Sequence, residues 1–171
     1  MIKTIVVILI LVGALTGYFL GGFYNVSALK PHNSIVESFA QTVKDRSIRK
    51  NSKNIIPPPL TVDKKLLKKG FDIYDSNCTY CHNAPGIEDS ELSKALYPKP
   101  PRFPDNLEYD EIGEKEIFWI VKNGIKMSGM PAYSNSLGDD EIWAVVHFVL
   151  ELPKISNEDY KDYSRTLIIN F

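Results

Sequence analysis

Apolar residues along the chain fall into three kinds of stretch, and each predicts a different element. From Thr4 to Asn25 no charge interrupts "TIVVILILVGALTGYFLGGFYN", and a helix of that length, at about 1.5 Å per residue, reaches roughly 30 Å, the thickness of a bilayer core. The run ends in Tyr18, Phe19, Phe23 and Tyr24, aromatic rings that suit a membrane interface. From Ser34 to Lys50 the pattern turns amphipathic. Val36, Phe39, Ala40 and Val43 share one helical face, Ser34 and Glu37 stand three apart as in a capping box, and the last turns carry Lys44, Arg46, Arg49 and Lys50. "IIPPP", Ile55–Pro59, stops helicity as a stiff connector and sets a domain boundary near Leu60.

Beyond that boundary the spacing predicts three helices. The first runs from about Asp63 to Asp75, with Leu66, Leu67, Gly70 and Tyr74 near i, i+4 spacing. Glycine inside a helix costs about 1 kcal/mol against alanine, so Gly70 implies that another helix crosses closely there. The second covers about Glu114 to Lys122, turns Ile117, Phe118, Ile120 and Val121 to one broad face, and stops at Asn123-Gly124. The third, about Asp139 to Glu151, opens on three acids and closes at Pro153. "YPKPPRFP", Tyr97–Pro104, is an extended loop. No alternating strand pattern of useful length occurs, so the fold class is all-α, with one transmembrane helix ahead of the domain.

Composition is that of an ordinary globular chain with a formal net charge of −1. The charge is unevenly placed: between Thr61 and Pro153 acids outnumber bases sixteen to ten, whereas the linker before it is basic. An acidic domain on a basic stalk suggests complementary partners. The apolar N-terminus has the length of a span and shows no obvious small-x-small cleavage site, so an uncleaved signal anchor is favoured over a removed signal peptide. Lys3 then stays cytoplasmic and everything after Asn25 lies outside. The resulting organisation is 1–25 anchor, 26–60 basic amphipathic linker with a proline-rich end, 61–153 globular domain and 154–171 tail.

All the thiol chemistry sits in "CTYCH", Cys78–His82, which holds both cysteines of the chain. A disulfide between Cys78 and Cys81 would close a very short loop and add little stability. Zinc in a structural site wants four ligands, but there is no second cysteine pair, and the remaining histidines are His32 in the linker and His147 on an apolar helix face. A haem attached by two thioethers uses every residue of the motif: the spacing suits two vinyl groups, and the next imidazole reaches the iron from the same side. It also fills the core of a domain too small to bury much alone. For a sixth ligand, "NGIKMSGMPAY", Asn123–Tyr133, offers Met127 and Met130. Pro131 and Gly129 flank Met130, fixing its backbone and allowing close approach.

These residues carry a resemblance. "GFDIYDSNCTYCH", "LYPKPP", "IVKNGIKMSGMPAY" and "LGDDEIWAVVHFVLEL" occur in the order of a class I c-type cytochrome. Residues 66–152 are similar, more closely, to the mono-haem domains of cbb3-type cytochrome oxidase haem subunits. The resemblance implies a class I cytochrome c fold around one covalent haem c, with Cys78 and Cys81 as attachment points. It implies His82 and Met130 as axial ligands to the iron, and first and last helices crossing near Gly70 and Tyr74 against the Trp143–Val149 face. It also points to Tyr97 and Arg102 as candidate propionate partners. Such domains often have glycine after the motif histidine, where this chain has Asn83. Trp119 and Trp143 read as core, and His147 as a packed helix residue or an alternative axial ligand.

The expected function is that of a membrane-anchored mono-haem electron carrier rather than an enzyme, on the periplasmic or outer face of the cell inner membrane. It would pass single electrons between respiratory donor and acceptor complexes. Expected partners are redox proteins on that face and membrane lipid, with no nucleic acid. A fixed haem subunit of a larger oxidoreductase complex, or a small haem enzyme with a displaceable distal ligand, are the alternatives.

Overall fold

The computed structural model describes residues 1–59, 62–104 and 112–168, with side chains as far as Ser164, and among these residues every regular element is helical. The chain divides into two compact units, Met1–Pro31 and His32–Phe171.

The first unit is built on α1 (Ile2–Leu20), which buries none of its side chains. Its length and composition are those of a membrane-crossing helix, and a signal sequence shares both properties. The helix stops short of Asn25 because the Gly21 N–H closes its last turn on the Gly17 carbonyl at 2.8 Å. The aromatic rings gather at that end: Tyr18 stacks on Phe23 at 6.2 Å, and Phe19 meets Tyr24 at 5.3 Å.

In the second unit the order is α2 (Ser34–Ser52), α3 (Lys64–Asn77), α4 (Thr79–His82), α5 (Glu91–Ala95), α6 (Glu114–Asn123), α7 (Asp139–Glu151), a 3-10 turn at Leu152–Lys154 and α8 (Asn157–Ile168). The helix over 139–151 has the expected bounds, and those at 63–75 and 114–122 lie within two residues of theirs. The N-cap of α2 is shifted by one. Asn33, not Ser34, accepts the Val36 N–H at 2.9 Å, since its side-chain oxygen stands where the first free amides point.

Helices α3 and α7 cross where Gly70 was expected to allow it. A Cβ on Gly70 would lie 2.2 Å from the Ala144 carbonyl oxygen and 2.7 Å from the Phe148 Cβ, so only glycine lets the backbones approach this far. Around the crossing, Phe71, Tyr74, Val145, Phe148, Val149 and Leu152 form one buried cluster. Ile117, Phe118, Ile142, Trp143 and Val146 form a second, between α6 and α7, with Trp143 stacked on Phe118 at 4.3 Å.

The compact unit extends on both sides of the 61–153 stretch. Helix α2 lies against α6, burying Ile48 and Ser52, and the Ser52 hydroxyl reaches Glu116 at 3.1 Å. From α8, Tyr160 enters the core beside Phe71 at 5.0 Å and donates its hydroxyl to Asp75 at 2.9 Å.

Candidate haem site

The end of α3 delivers the chain into the cysteine motif without a break. The Cys78 N–H bonds the Tyr74 carbonyl at 2.8 Å, and the Cys81 and His82 N–H groups both return to the Cys78 carbonyl, at 3.1 and 2.9 Å. This single turn of helix places Cys78 and Cys81 three residues apart on one side. Both are free thiols. Burial, with Cys81 close by as the lesser cause, pushes the Cys78 thiol up to about 12, and burial raises Cys81 as well. Neither is poised as a thiolate nucleophile or metal ligand. A neutral thioether suits the same burial.

His82 is 8% exposed. Its Nδ1 lies 2.9 Å from the Pro101 carbonyl oxygen, which can only accept, so Nδ1 carries the proton. The ring stacks on Phe103 at 4.2 Å with 6° between the planes. Burial lowers the histidine's pKa, against the smaller opposing effect of the Pro101 bond. The result is a neutral, oriented imidazole whose Nε2 lone pair is available to a metal. Two neutral thiols on one turn and an imidazole of fixed tautomer are the donor set a covalently held haem requires.

Every carbonyl from residue 80 to residue 83 receives a donor from elsewhere in the fold. The Ser90 hydroxyl donates to Tyr80, the Ser93 hydroxyl to Cys81 at 3.0 Å, the Phe103 N–H to His82 at 3.3 Å, and the Tyr74 hydroxyl to Asn83 at 2.5 Å. Asn83 itself has φ 64° and ψ 178°, a conformation that glycine takes without strain and other residues rarely adopt. Its side chain donates to Asp89 at 2.6 Å.

Asp89 gathers two more donors, Lys99 at 2.7 Å and Arg102 at 2.8 Å, and Arg102 also donates to the Ile87 carbonyl at 2.7 Å. These bonds, Lys99 first, then Arg102 and Asn83, hold the Asp89 carboxyl down to about 2. A carboxyl depressed in the folded state stabilises the fold above its ordinary value of 3.8, and that contribution is lost as pH falls through about 2. In an acid titration followed by circular dichroism, Asp89→Asn is therefore expected to lose stability at neutral pH and to flatten the decline between pH 4 and 2.

The methionine loop follows Gly124, which ends α6 at φ 67°. A Cβ there would lie 2.7 Å from the Pro131 carbonyl carbon, so the loop folds back tightly on the helix end. The Ile125 N–H bonds the Met130 carbonyl at 3.1 Å, and the Tyr133 N–H bonds Val121 at 3.0 Å. Met130 is half-buried, whereas Met127 is 98% exposed at φ 59°. Gly129 abuts Leu96, whose Cδ2 would be 2.7 Å from an added Cβ. The loop is tied to the cysteine turn through Tyr133, whose hydroxyl donates to the Asn77 carbonyl at 3.0 Å. Burial, and then the charges Cys78 and Cys81 would carry as thiolates, push that phenol up to about 12.

Of the other singled-out residues, Tyr97 has partners of its own and His147, among the described residues, has a ring contact alone. Tyr97 accepts the His32 N–H at 2.8 Å and meets the His32 ring at 5.2 Å. His147 keeps a buried Nε2 without a hydrogen-bond partner, 6.2 Å from Trp143 by ring centroids. Sequence reasoning missed the Pro101 carbonyl, which as a backbone group carries no side-chain signature, and Ser90 and Ser93, which only the fold distinguishes from other serines.

Residues 65–149, about half of the chain, match the family described as cytochrome C oxidase, cbb3-type, subunit III. Over 153 residues the chain is 25% identical to "Alcohol dehydrogenase (quinone), dehydrogenase subunit" of Gluconobacter oxydans (strain 621H), a match covering 88% of this chain and 18% of that protein. The chain thus spans less than a fifth of that relative's length. A chain of the Kuenenia stuttgartiensis reducing HAO-like protein complex superposes with a TM-score of 0.49 at 23% identity, covering 56% of this chain and 47% of that one.

Proposed function

Residues 65–149 belong to the cbb3-type cytochrome c domain family, and from that premise we propose that the chain is a membrane-anchored mono-haem electron carrier serving donor and acceptor complexes on the outer face of the membrane. A domain of this family carries haem c, which supplies a one-electron couple between ferric and ferrous iron. Cys78 and Cys81 hold it through thioethers. His82 would offer its Nε2 to the iron while Pro101 fixes its ring, and Met130 would offer a soft, neutral sulfur that favours the ferrous state. The near-complete burial of His82 and Tyr74 keeps water from the proximal side. In this reading α1 remains as a single-pass anchor in the cell inner membrane.

The observation that supports this reading most directly is the His82 imidazole, held neutral by burial and oriented by the Pro101 carbonyl, with Nε2 uncommitted beside two free thiols. Its test is a potentiometric titration of the detergent-purified protein with carbon monoxide added to the reduced form. A single one-electron wave without carbon monoxide binding is expected, whereas binding at neutral pH would indicate an open distal site and a haem enzyme. Met130→Ala is expected to remove the weak sulfur-to-iron charge-transfer band at the red edge of the visible spectrum. It should also lower the potential by on the order of 0.1 V, within the roughly 0.8 V range that axial ligands command. Met127→Ala should leave both unchanged.

The quinone-dependent alcohol dehydrogenase relative is named as a dehydrogenase subunit, which favours a second reading, a haem subunit fixed in a larger oxidoreductase complex. Co-purification with stoichiometric partners in mild detergent would support it over a free carrier.

A further inference from the structure

Helix α2 packs by one face and leaves the opposite face open. Ile48 and Ser52, which face α6, are 6% and 0% exposed. At 3.6 residues per turn, Ile35, Phe39 and Val43 lie on the far side of the helix, and they are 80%, 71% and 50% exposed. The same outward stripe continues into Arg46 and Lys50, both exposed. The two acids of α2, Glu37 and Asp45, fall on other faces, and Asp45 pairs with Lys44 at 3.3 Å. The outward stripe is therefore apolar for two turns, then cationic, with no carboxylate.

We propose that this face of α2 lies on the bilayer surface, with Ile35, Phe39 and Val43 seated among the acyl chains near the headgroups and Arg46 and Lys50 on anionic phospholipid phosphates. Two features favour lipid over a protein partner. The stripe has the composition of an interfacial helix, apolar rings and branched chains beside cations and without acids. Only thirteen residues, Gly21–Asn33, separate α2 from the end of α1, a tether of at most about 45 Å that keeps α2 at high local concentration near the membrane. The proposal rests on α1 serving as the anchor. Because the opposite face of α2 holds α6, docking would set the attitude of the haem domain to the bilayer.

The full-length holoprotein, whose native cysteines are consumed by thioethers, is labelled with a nitroxide at Val43→Cys and placed singly in nanodiscs of phosphatidylcholine with or without phosphatidylglycerol. Power-saturation electron paramagnetic resonance then compares access by oxygen and by a water-soluble nickel chelate. In the anionic discs the label is expected to lose chelate access and gain oxygen access. Each cation near an anionic surface strengthens binding about fivefold, so the pair contributes on the order of twenty-five-fold, and Arg46→Glu with Lys50→Glu should restore chelate access. A label at Met127→Cys should stay in water throughout. Chelate access at position 43 in anionic discs overturns the proposal, as does protection indifferent to lipid charge and to the double reversal. Protection that appears only with two copies per disc overturns it in favour of a second copy of this chain. A label at Leu11→Cys reads the anchor separately: lipid exposure there, with position 43 in water, rejects the docking and leaves the anchor standing.

Discussion

Replacing Cys78 and Cys81 together with serine is expected to abolish covalent haem staining on a denaturing gel and to leave a domain that no longer melts cooperatively. Thioethers survive denaturation, so the wild-type stain should stay with the chain; haem extracted from it by acidic organic solvent would refute the attachment. The effect on folding follows from the packing. The two apolar clusters of the domain are carried mainly by α3, α6 and α7, and the stretch that bears the motif and the proline loop contributes few buried apolar side chains, Ala84 among them. A domain of this size buries a modest share of its surface on its own, and a covalent haem adds apolar area that serine cannot replace. Circular dichroism of the double variant should show a broad, weakly cooperative transition.

Gly70→Ala is the substitution expected to damage the protein part of the fold most for its size. The new methyl would sit 2.2 Å from the Ala144 carbonyl oxygen and 2.9 Å from its carbonyl carbon, and a helix backbone cannot swing aside as a flexible side chain does. Overpacking costs up to about 3 kcal/mol or more, while alanine recovers about 1 kcal/mol of helix propensity. The net loss, roughly 2–3 kcal/mol, corresponds to a melting temperature lower by on the order of 5–10 °C. A thermal melt of the holoprotein checks it; an unchanged midpoint would mean that α3 and α7 can separate without penalty.

How much of this was legible beforehand depended on whether the signal was local. Helix α7 was readable because its acids, apolar face and Pro153 all lie within one segment, and Gly70 was readable because glycine inside a helix calls for a neighbour. The N-cap of α2 was misplaced by one residue because Asn33 and Ser34 are both good caps, and the Glu37 signature suited the wrong one. Helix α8 was passed over as tail: its Tyr160 and Tyr163 look like scattered aromatics until Phe71, far away in sequence, supplies the surface they cover. At the site, the motif announced itself by residue type. Its orientation did not, because the Pro101 carbonyl and the donors that meet residues 80–83 come from backbone and from unremarkable serines. Asn83 was legible as a departure, and its backbone, at φ 64° and ψ 178°, is one that glycine would adopt with less strain.

The bond from Tyr160 to Asp75 joins positions 85 residues apart, and it bears on the order of events during synthesis. A chain that emerges from its amino end exposes Cys78 and Cys81 long before Tyr160 exists to close over Phe71. Contacts of such long range form late, so the thiols, pushed toward their protonated form once the fold is complete, first meet solvent in an open chain where they react freely. On the proposal that both sulfurs carry haem, attachment would have an interval before the core shuts in which Cys78 and Cys81 are within reach.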